Sequence, residues 1–331
     1  MALAKMKSDA TEARLAVMDL PKGGDTARQA ALARVTAMGL PTKRDEYWKY
    51  TDPTTLVQPT APEAALFHND EGPLFDDIDR IKIVFVDGVY DAEKSSDLTG
   101  EGLEVGLLAD ALATDIHWAH DLYGTLEARG QVPVERPLAA LNTAFATNGA
   151  VIRVTGKASK PVNLIYLHSD TSSDAVLHNL VKVEAGAEVT LLETGPAAAR
   201  FSKCLEVDVA DGASFHHVRA QGRDHERQAV THCFARVGEE STFKSFTLTV
   251  NGRLTRNETI IEIIGDNATA HVAGACLGDG NDFHHDDTVF ITHDSVDCES
   301  RQVFKKVLRN GATGVFQGKI LVKEGAQKTD G

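Results

Sequence analysis

The chain has 331 residues, of which 42% are hydrophobic and 25% are charged, as is typical of a globular protein with a large core. Its 48 acidic and 34 basic side chains give a formal net charge of −14, which excludes nucleic-acid binding as a main role because phosphates require cationic surfaces. No apolar run approaches the ~18 residues that a membrane span needs. The four cysteines are too scattered for a disulfide framework, and charged residues from Lys5 onward interrupt any secretory signal. We therefore expect a cytoplasmic protein that binds neither nucleic acid nor membrane.

Residues 1–60 are predicted to form a helical N-terminal region. Asp25 is a plausible N-cap for a helix that ends near Gly39. The aromatic segment 44–51 is interpreted as a helix end that docks onto the core through Tyr47 and Trp48.

Residues 61–149 are predicted to be a mixed α/β connecting region. Ile81–Val86 has the β-branched composition of a strand, and Asp87-Gly88 is a turn signal. Residues 107–127 are predicted to be mostly helical, and a last apolar helix covers Leu138–Phe145.

Residues 150–331 repeat a short turn phrase that ends in a small residue, with apolar runs before it and alternating runs after it. Repeated turns between short strands are typical of stacked solenoid coils, so the chain is predicted to be mainly β. The phrases are Glu184-Ala-Gly-Ala187, Ala210-Asp-Gly-Ala213, Gly238-Glu-Glu-Ser241, Gly265-Asp-Asn-Ala268 and Arg309-Asn-Gly-Ala312.

Counting from the last residue of each phrase predicts which side chains face the inside of the coil. Positions two after it and four before it are apolar, and strand alternation places both sets inside. These inward positions are Val189, Phe215, Phe243, Ala270, Val183, Val209, Val237 and Ile264. Positions three after it should face outward; they are Thr190, His216, Lys244 and His271.

Two groups of histidine and cysteine residues are candidate metal sites. The first is an outward column of His178, Cys204 and His232, with Thr259 at the equivalent place in the next coil. Imidazole and thiolate on adjacent rungs could bind zinc or iron, but ordinary polar strand residues are the favoured interpretation. Cys233 is expected to be an inert thiol in the core.

The second group is the polar segment 283–298, whose candidate metal ligands are His284, His285, His293 and Cys298. It has no ligand spacing such as Cys-x-x-Cys, so a polar loop at an interface is the favoured alternative. The chain also has neither a phosphate-binding glycine loop nor a Gly-x-Ser-x-Gly elbow. No residue is therefore assigned a catalytic role, and a non-enzymatic function is expected.

The last coil closely resembles the core signature of the SufB/SufD family, the β-helical subunits of the SUF iron–sulfur cluster assembly machinery. The matching stretches are 293–300, Lys305, 314–320 and 326–329. Upstream, 46–51, 86–90 and 141–145 resemble the SufD branch more than SufB. The residues that carry the motifs are Trp48, Lys49, Tyr50, His293, Ser300, Lys305, Gly314, Phe316, Gly318, Gln327 and Thr329.

The resemblance implies a right-handed parallel β-helix with a helical N-terminal part. It also implies pairing with a SufB-like subunit through the β-helix and work with a SufC-like ATPase through a C-terminal helical part; a homodimer is possible. A nascent iron–sulfur cluster would form at a partner interface, so no cofactor is expected to be stably bound by this chain, while flavin remains possible. The sequence ends at Gly331, before the family's further strands, histidine motif and C-terminal helices, and is therefore interpreted as a fragment or an incomplete gene model. No catalytic or cluster-forming residue is transferred from the family.

Two alternatives remain open at this stage. A SufB-like chain would be the primary sulfur acceptor rather than a partner subunit. A β-helical polysaccharide lyase or hydrolase could instead use Asp286 and Asp287 in a groove, although such enzymes are usually secreted.

Overall fold

A computed structural model describes residues 4–67, 73–222 and 224–331. Two eight-stranded sheets face each other and form a parallel β-solenoid of about six turns, against which a helical N-terminal region packs. The predicted fold class is confirmed. Among the described residues, no helix combines the length and the apolar character that crossing a bilayer would require.

The strands alternate between the two sheets along the chain, so that each coil contributes one strand to each sheet. Strands β2, β1, β5, β7, β9, β11, β13 and β15 form one sheet in that spatial order, and β3, β4, β6, β8, β10, β12, β14 and β16 form the other. Their bounds in chain order are β1 Ile81–Val86, β2 Val89–Tyr90, β3 Leu103–Leu107, β4 Ala150–Val154, β5 Val162–Leu167, β6 Asp174–Val183, β7 Glu188–Thr194, β8 Arg200–Val209, β9 Ser214–Gln221, β10 Gln228–Val237, β11 Thr242–Val250, β12 Leu254–Ile263, β13 Thr269–Asp279, β14 His284–His293, β15 Glu299–Arg309 and β16 Thr313–Val322.

The helices of the described ranges lie before the repeats and pack on the outer face of one of the two sheets. They are α1 Lys5–Leu15, α2 Asp25–Met38, α3 Thr54–Val57, α4 Leu108–Ala113, α5 Ala119–Leu122, α6 Thr125–Arg129 and α7 Pro137–Phe145, with a single 3-10 turn over Glu46–Trp48. Helix α7 packs against α2 on one side and against β6, β8 and β10 on the other. We call the sheet beneath α7 the covered sheet. The other sheet, which contains β5, β7, β9, β11, β13 and β15, is called the exposed sheet.

The predicted local elements are largely confirmed. Strand β1 has the predicted bounds, and residues 107–127 contain three short helices. Asp25 is the first helical residue rather than the N-cap, because Gly24 precedes it in the left-handed conformation at φ 63°. Glycine adopts that conformation without the Cβ clash that strains other residues.

The inside of the solenoid follows the predicted alternation. Val189, Phe215, Phe243 and Ala270 lie side by side on neighbouring strands and are all buried. On the exposed sheet, β9 alternates strictly between buried and half-exposed residues. In the covered sheet, β8 and β10 are buried on both faces because helices lie over them.

Two predicted positions in the fourth coil are wrong by one residue. Ile264 is 41% exposed, and Ile263 instead occupies the inward row with Val237. Likewise, Glu258 rather than Thr259 aligns with His232. The turn from β12 to β13 has five residues, 264–268, whereas the turn from β10 to β11 has four, 238–241. The extra turn residue shifts every position counted backward from Ala268.

The fifth repeated phrase lies at the opposite corner of the coil from the other four. Residues 309–312 connect β15 in the exposed sheet to β16 in the covered sheet, whereas the other phrases connect strands in the reverse direction. In the turn between β14 and β15, Cys298 occupies the place that the small residue has in the earlier phrases. It stands two residues before Ser300, just as Ala268 stands two residues before Ala270, and Ser300 pairs with Ala270. A buried thiol thus replaces alanine at that turn.

Candidate functional site

The four candidate metal ligands do not come together. His284 and His285 begin strand β14 and point to opposite faces of the sheet. His293 ends the same strand, so at the usual rise per residue of a strand it lies roughly 26 Å from His285. Cys298 lies in the following turn, where its thiol contacts the carbonyls of Gly265 and Val296. Across the described ranges, no group of three His, Cys, Asp or Glu side chains is arranged to hold a metal ion.

Each of these histidines already has a protein partner. The His284 ring bonds the hydroxyl of Thr51 at 2.9 Å, and the His293 ring bonds the hydroxyl of Ser300 at the same distance. Burial lowers the pKa of His293 and lowers the pKa of His285 to about 3, so both are neutral at pH 7.

Asp286 and Asp287 do not share a groove. Asp286 faces the helices, where it accepts a hydrogen bond from Thr51 at 2.5 Å and pairs with Arg256. Asp287 faces the interior and lies 2.9 Å from the ammonium of Lys306. Both carboxylates are buried and paired with cations, and they lie on opposite faces of the strand, so they cannot act together on one substrate.

The predicted column of His178, Cys204 and His232 exists as an in-register row on the outer face of the covered sheet. It is outward with respect to the coil, but each side chain is at most 1% exposed because helices cover it. The His178 ring lies 2.7 Å from Glu206, and Glu206 accepts backbone N–H groups of Gly124, Leu126 and Glu127. His178 of this row thus supports Glu206, which in turn holds the start of helix α6 against the covered sheet.

Four charged residues form a second buried contact between the helices and the covered sheet, which we call the interlayer cluster: Arg136, Arg256, Glu258 and Asp286. Glu258 accepts from the guanidinium of Arg136 at 2.9 Å and from that of Arg256 at 2.8 Å. The guanidinium of Arg256 also lies 4.2 Å from the ring centre of Trp48, which fixes the predicted aromatic segment onto the solenoid.

Charges within this layer alter two neighbouring pKa values. Burial opposes ionisation of Glu258, but Arg256, His232 and Arg136 outweigh it and lower the pKa to about 2. Burial also lowers the pKa of His232 to about 4, because its charged form would lose water and face two arginines. His232 is therefore neutral and Glu258 ionised at pH 7.

We expect the free energy of unfolding to fall as the pH drops from 6.5 towards 4, because unfolded His232 binds a proton at pH values where the folded form does not. The loss should reach about 3 kcal/mol near pH 4, and His285 adds a loss of the same sign. Urea unfolding at pH 7 and pH 5 measures this dependence. The variant His232→Gln should flatten it, while the half-exposed His216→Gln serves as the control. Equal slopes for His232→Gln and the unmodified chain would contradict the assignment.

The solenoid interior holds a row of polar side chains, which we call the interior polar row. At one end, the carboxylate of Glu193 pairs with the ammonium of Lys203, and His217 and Arg219 lie within 3.6 and 4.0 Å of it. Lys203 and Glu193 are at most 1% exposed. Burial raises the pKa of Glu193, yet Lys203, His217 and Arg219 together lower it strongly, so the group is ionised.

The row continues towards the last coils through neutral groups. Arg219 donates to the hydroxyl of Thr231 at 2.8 Å, and Thr231 donates to Asn257 at the same distance. Asn257 in turn contacts His285, beside Asp287 and Lys306. The interior polar row is therefore hydrogen-bonded from Arg219 to Lys306 and is joined to Glu193 by the 4.0 Å ion pair of Arg219.

The sequence contains a signal for this row in the spacing of its polar residues. Glu193 stands six residues after Ala187, and Lys203 ten before Ala213. Both offsets are even, and even offsets face inward by the rule that located the apolar core. Applying the same count to polar residues would have found the row.

The four cysteines have separate, buried positions. Burial raises the pKa of Cys204 well above its ordinary value, of Cys233 to about 12 and of Cys276 to about 11, and it also raises that of Cys298. Cys233 lies in the main core, as predicted. Thiols held in this protonated state are poor nucleophiles and poor metal ligands.

The motif residues fall into two groups. Near the N-terminal helices, Trp48 is buried, Lys49 pairs with Glu46 at 2.9 Å and the Tyr50 ring is 59% exposed. Near the last coil, the ring centres of Phe316 and Phe304 are 4.8 Å apart, and the Ser300 hydroxyl is hydrogen-bonded to the His293 ring.

The remaining motif residues lie around the last coil. Gly314 pairs with His285, and a Cβ at Gly314 would come within 2.6 Å of Leu308. Gly318 lies beside the Phe316 ring, and Lys305 points outward from the exposed sheet. The carbonyl of Gln327 accepts from Asp297, next to Thr329 at the end of the chain. No cavity of the described structure is lined by several of these motif residues together.

Comparison with known proteins identifies the family. The family model described as the SufBD core domain of the SUF system for FeS cluster assembly matches residues 166–331, and the SufBD N-terminal region matches residues 24–164. The iron–sulfur cluster assembly protein SufD of Escherichia coli is 26% identical over 321 residues, which cover 92% of this chain and 71% of that protein. An iron–sulfur cluster assembly SufBD family protein of Synechocystis is 23% identical over 329 residues, covering 92% of this chain and 70% of that protein. The chain therefore belongs to the SufB/SufD family of the SUF system of iron–sulfur cluster assembly.

Proposed function

We propose that this chain is a SufD-like, non-catalytic partner subunit in iron–sulfur cluster assembly. In this proposal it pairs with a SufB-like subunit through the β-solenoid and works with a SufC-like ATPase. The observation that carries the proposal is the match of both family regions, in order, over residues 24–331, together with similarity to a SufD over 92% of the chain.

The state of the thiols supports a partner role over that of a sulfur acceptor. A sulfur-accepting cysteine must reach a donor and attack as thiolate. Cys204, Cys233, Cys276 and Cys298 are all buried, and burial raises the pKa of each. For one of these four thiols to accept sulfur, it would first have to become exposed.

The cluster is treated as the product of the assembly rather than as a resident cofactor of this chain. We propose that it forms at the interface with the SufB-like subunit in the cytoplasm. Binding of reduced flavin and pairing of two copies of the chain remain predictions.

Co-expression with the SufB-like and SufC-like proteins of the same organism tests the proposal. We expect the tagged chain to purify with the SufB-like protein in a defined complex and to increase cluster formation on iron and sulfide addition. Purification with neither partner would contradict the proposal.

A cysteine-free variant separates the partner role from that of an acceptor. Replacing Cys204, Cys233, Cys276 and Cys298 by alanine should leave complex formation and cluster yield unchanged, provided that thermal unfolding confirms a folded chain. Loss of transferred sulfur from the complex, with the fold and the pairing intact, would instead favour the SufB-like alternative.

A further inference from the structure

The outer face of the exposed sheet has no covering layer among the described residues, whereas the opposite sheet is packed beneath helices. In β11, β13 and β15 every second side chain turns away from the core. In the covered sheet, the equivalent positions of β8 and β10 are buried. The two faces of one solenoid therefore differ in what they contact.

One row on this outer face consists of basic side chains, and we call it the cationic row after Lys244 and Arg301. His216, Lys244, His271 and Arg301 lie in register on the four neighbouring strands β9, β11, β13 and β15. Lys305 lies four residues beyond Arg301 on β15 and also points outward. In the part of the chain that the structure describes, no ion pair involves Lys244, Arg301 or Lys305.

The three outward-facing carboxylates on strands β7, β13 and β15 are already paired. Glu299 lies 2.9 Å from the His271 ring, Asp279 lies 2.8 Å from Arg309, and Glu188 lies 3.4 Å from Lys157. They leave the centre of the face positive, although the whole chain carries a formal net charge of −14. A local sign opposite to the net charge selects an acidic partner.

Apolar rows run beside the cationic row. In register on the same strands, the first row is Val218, Phe246, Ala273 and Val303, and the rows beyond it include Leu248, Ala275, Val250, Leu277 and Val307. Phe246 is 42% exposed, Leu277 52% and Val307 62%. A contiguous exposed apolar surface beside ordered charges is typical of a protein-binding site.

The spacing of these rows fits an α-helix that lies along the solenoid axis. Neighbouring strands are ~4.8 Å apart, so four strands span about 14 Å, or about ten residues of helix at 1.5 Å each. Helical positions i, i+3, i+4 and i+7 form a row with similar spacing on one side of a helix. Helix α7 of this chain packs across β6, β8 and β10 on the other sheet in this manner.

We propose that the outer face of the exposed sheet docks an amphipathic helix of a protein partner, with a row of carboxylates on the cationic row and an apolar row on the adjacent row of Val218, Phe246 and Val303. This proposal is independent of the role in cluster assembly.

Binding of a designed peptide tests it. The probe is a labelled, end-capped helical peptide of about 15 residues with one glutamate row beside one leucine row. Its control has the same composition in scrambled order. We expect saturable binding of the probe by fluorescence anisotropy, with methyl NMR shifts concentrated at Val218, Ala273 and Val303.

Two pairs of substitutions locate the contact. The variant Lys244→Glu/Arg301→Glu should weaken binding by about tenfold or more, as should Phe246→Ser/Val303→Ser. The variant Lys22→Glu/Lys43→Glu changes the net charge equally at exposed sites in the N-terminal region, and it should bind as the unmodified chain does. Thermal unfolding checks that each variant is folded.

Three results would overturn the proposal: no binding of the probe, equal binding of the scrambled peptide, or an affinity unaffected by both substitutions on the face. Vesicles of phosphatidylcholine and phosphatidylglycerol are tested in parallel. Stronger binding to these vesicles, lost in Lys244→Glu/Arg301→Glu, would assign the face to an anionic membrane surface and reject a helical partner.

Discussion

Glu193→Gln is expected to lower the free energy of unfolding by about 3–5 kcal/mol at pH 7, the cost of removing one partner of a buried ion pair. The substitution preserves the shape of the side chain but leaves the ammonium of Lys203 and the guanidinium of Arg219 together in the solenoid interior without a carboxylate. Neither cation can reach water, because Lys203 is 1% exposed and Arg219 is 7% exposed. Urea unfolding measures the loss.

The pH dependence of this variant distinguishes loss of charge balance from loss of packing. Burial already lowers the pKa of Lys203, and removal of Glu193 takes away the group that opposes this shift. The folded pKa then lies below the unfolded value, so the variant should regain stability as the pH rises from 7 towards 10. A loss independent of pH would contradict this explanation.

Two further variants complete the comparison. Glu188→Gln makes the same change on the same strand, but its pair with Lys157 is exposed, so we expect a loss below about 1 kcal/mol. Glu193→Gln/Lys203→Met removes both members of the buried pair and should be more stable than Glu193→Gln alone, because no unpaired ammonium remains.

The backbone repeat of the solenoid could be predicted because local turns and strand alternation determine it. The short phrases at Ala187, Ala213 and Ser241 are each separated from the preceding strand by the same number of residues, so inward positions follow from counting. The count fails at Ile264 because the next turn is one residue longer, and turn length does not appear in an apolar pattern. The pairing register between neighbouring strands therefore depends on the lengths of the turns, which the alternation of apolar residues does not reveal.

The chemical environment of the polar residues could not be predicted from the alternation. His178 and Cys204 point outward from the coil, as counted, but the structure places α6 and α7 over them, and that packing joins residues far apart in sequence. The partner of His178 is Glu206, which caps a helix some eighty residues earlier in the chain. Outward orientation predicts a side chain's direction but not what covers it.

The histidine-rich segment was misleading for a related reason. Several histidines on one strand are not thereby close together in space. His284 and His285 point to opposite faces, and His293 lies at the far end of the strand. Metal sites require convergence in space, which is set by the fold rather than by composition. Motif resemblance, by contrast, identified the family because it did not depend on knowing the contacts.

The second large effect is expected from Arg256→Ala, which should cost about 3–5 kcal/mol because it leaves the carboxylates of Glu258 and Asp286 buried with fewer partners. It also removes the guanidinium that lies over Trp48. The aromatic segment should therefore loosen before the solenoid unfolds, and the tryptophan fluorescence should shift to the red at low urea. The unmodified chain should show no such shift.

The control for Arg256→Ala is Arg236→Ala on the adjacent strand of the same sheet. Arg236 donates to Asp208 at 2.9 and 2.7 Å, so the pair has good geometry, but its side chain is 36% exposed and water can replace the lost contact. We expect Arg236→Ala to cost less than about 1 kcal/mol. Similar losses for the two variants would reject the interlayer cluster as the attachment of the helical layer. If the cluster holds that layer, Arg256→Met/Asp286→Leu should recover part of the loss of Arg256→Ala, because one uncompensated carboxylate is removed and apolar volume is restored.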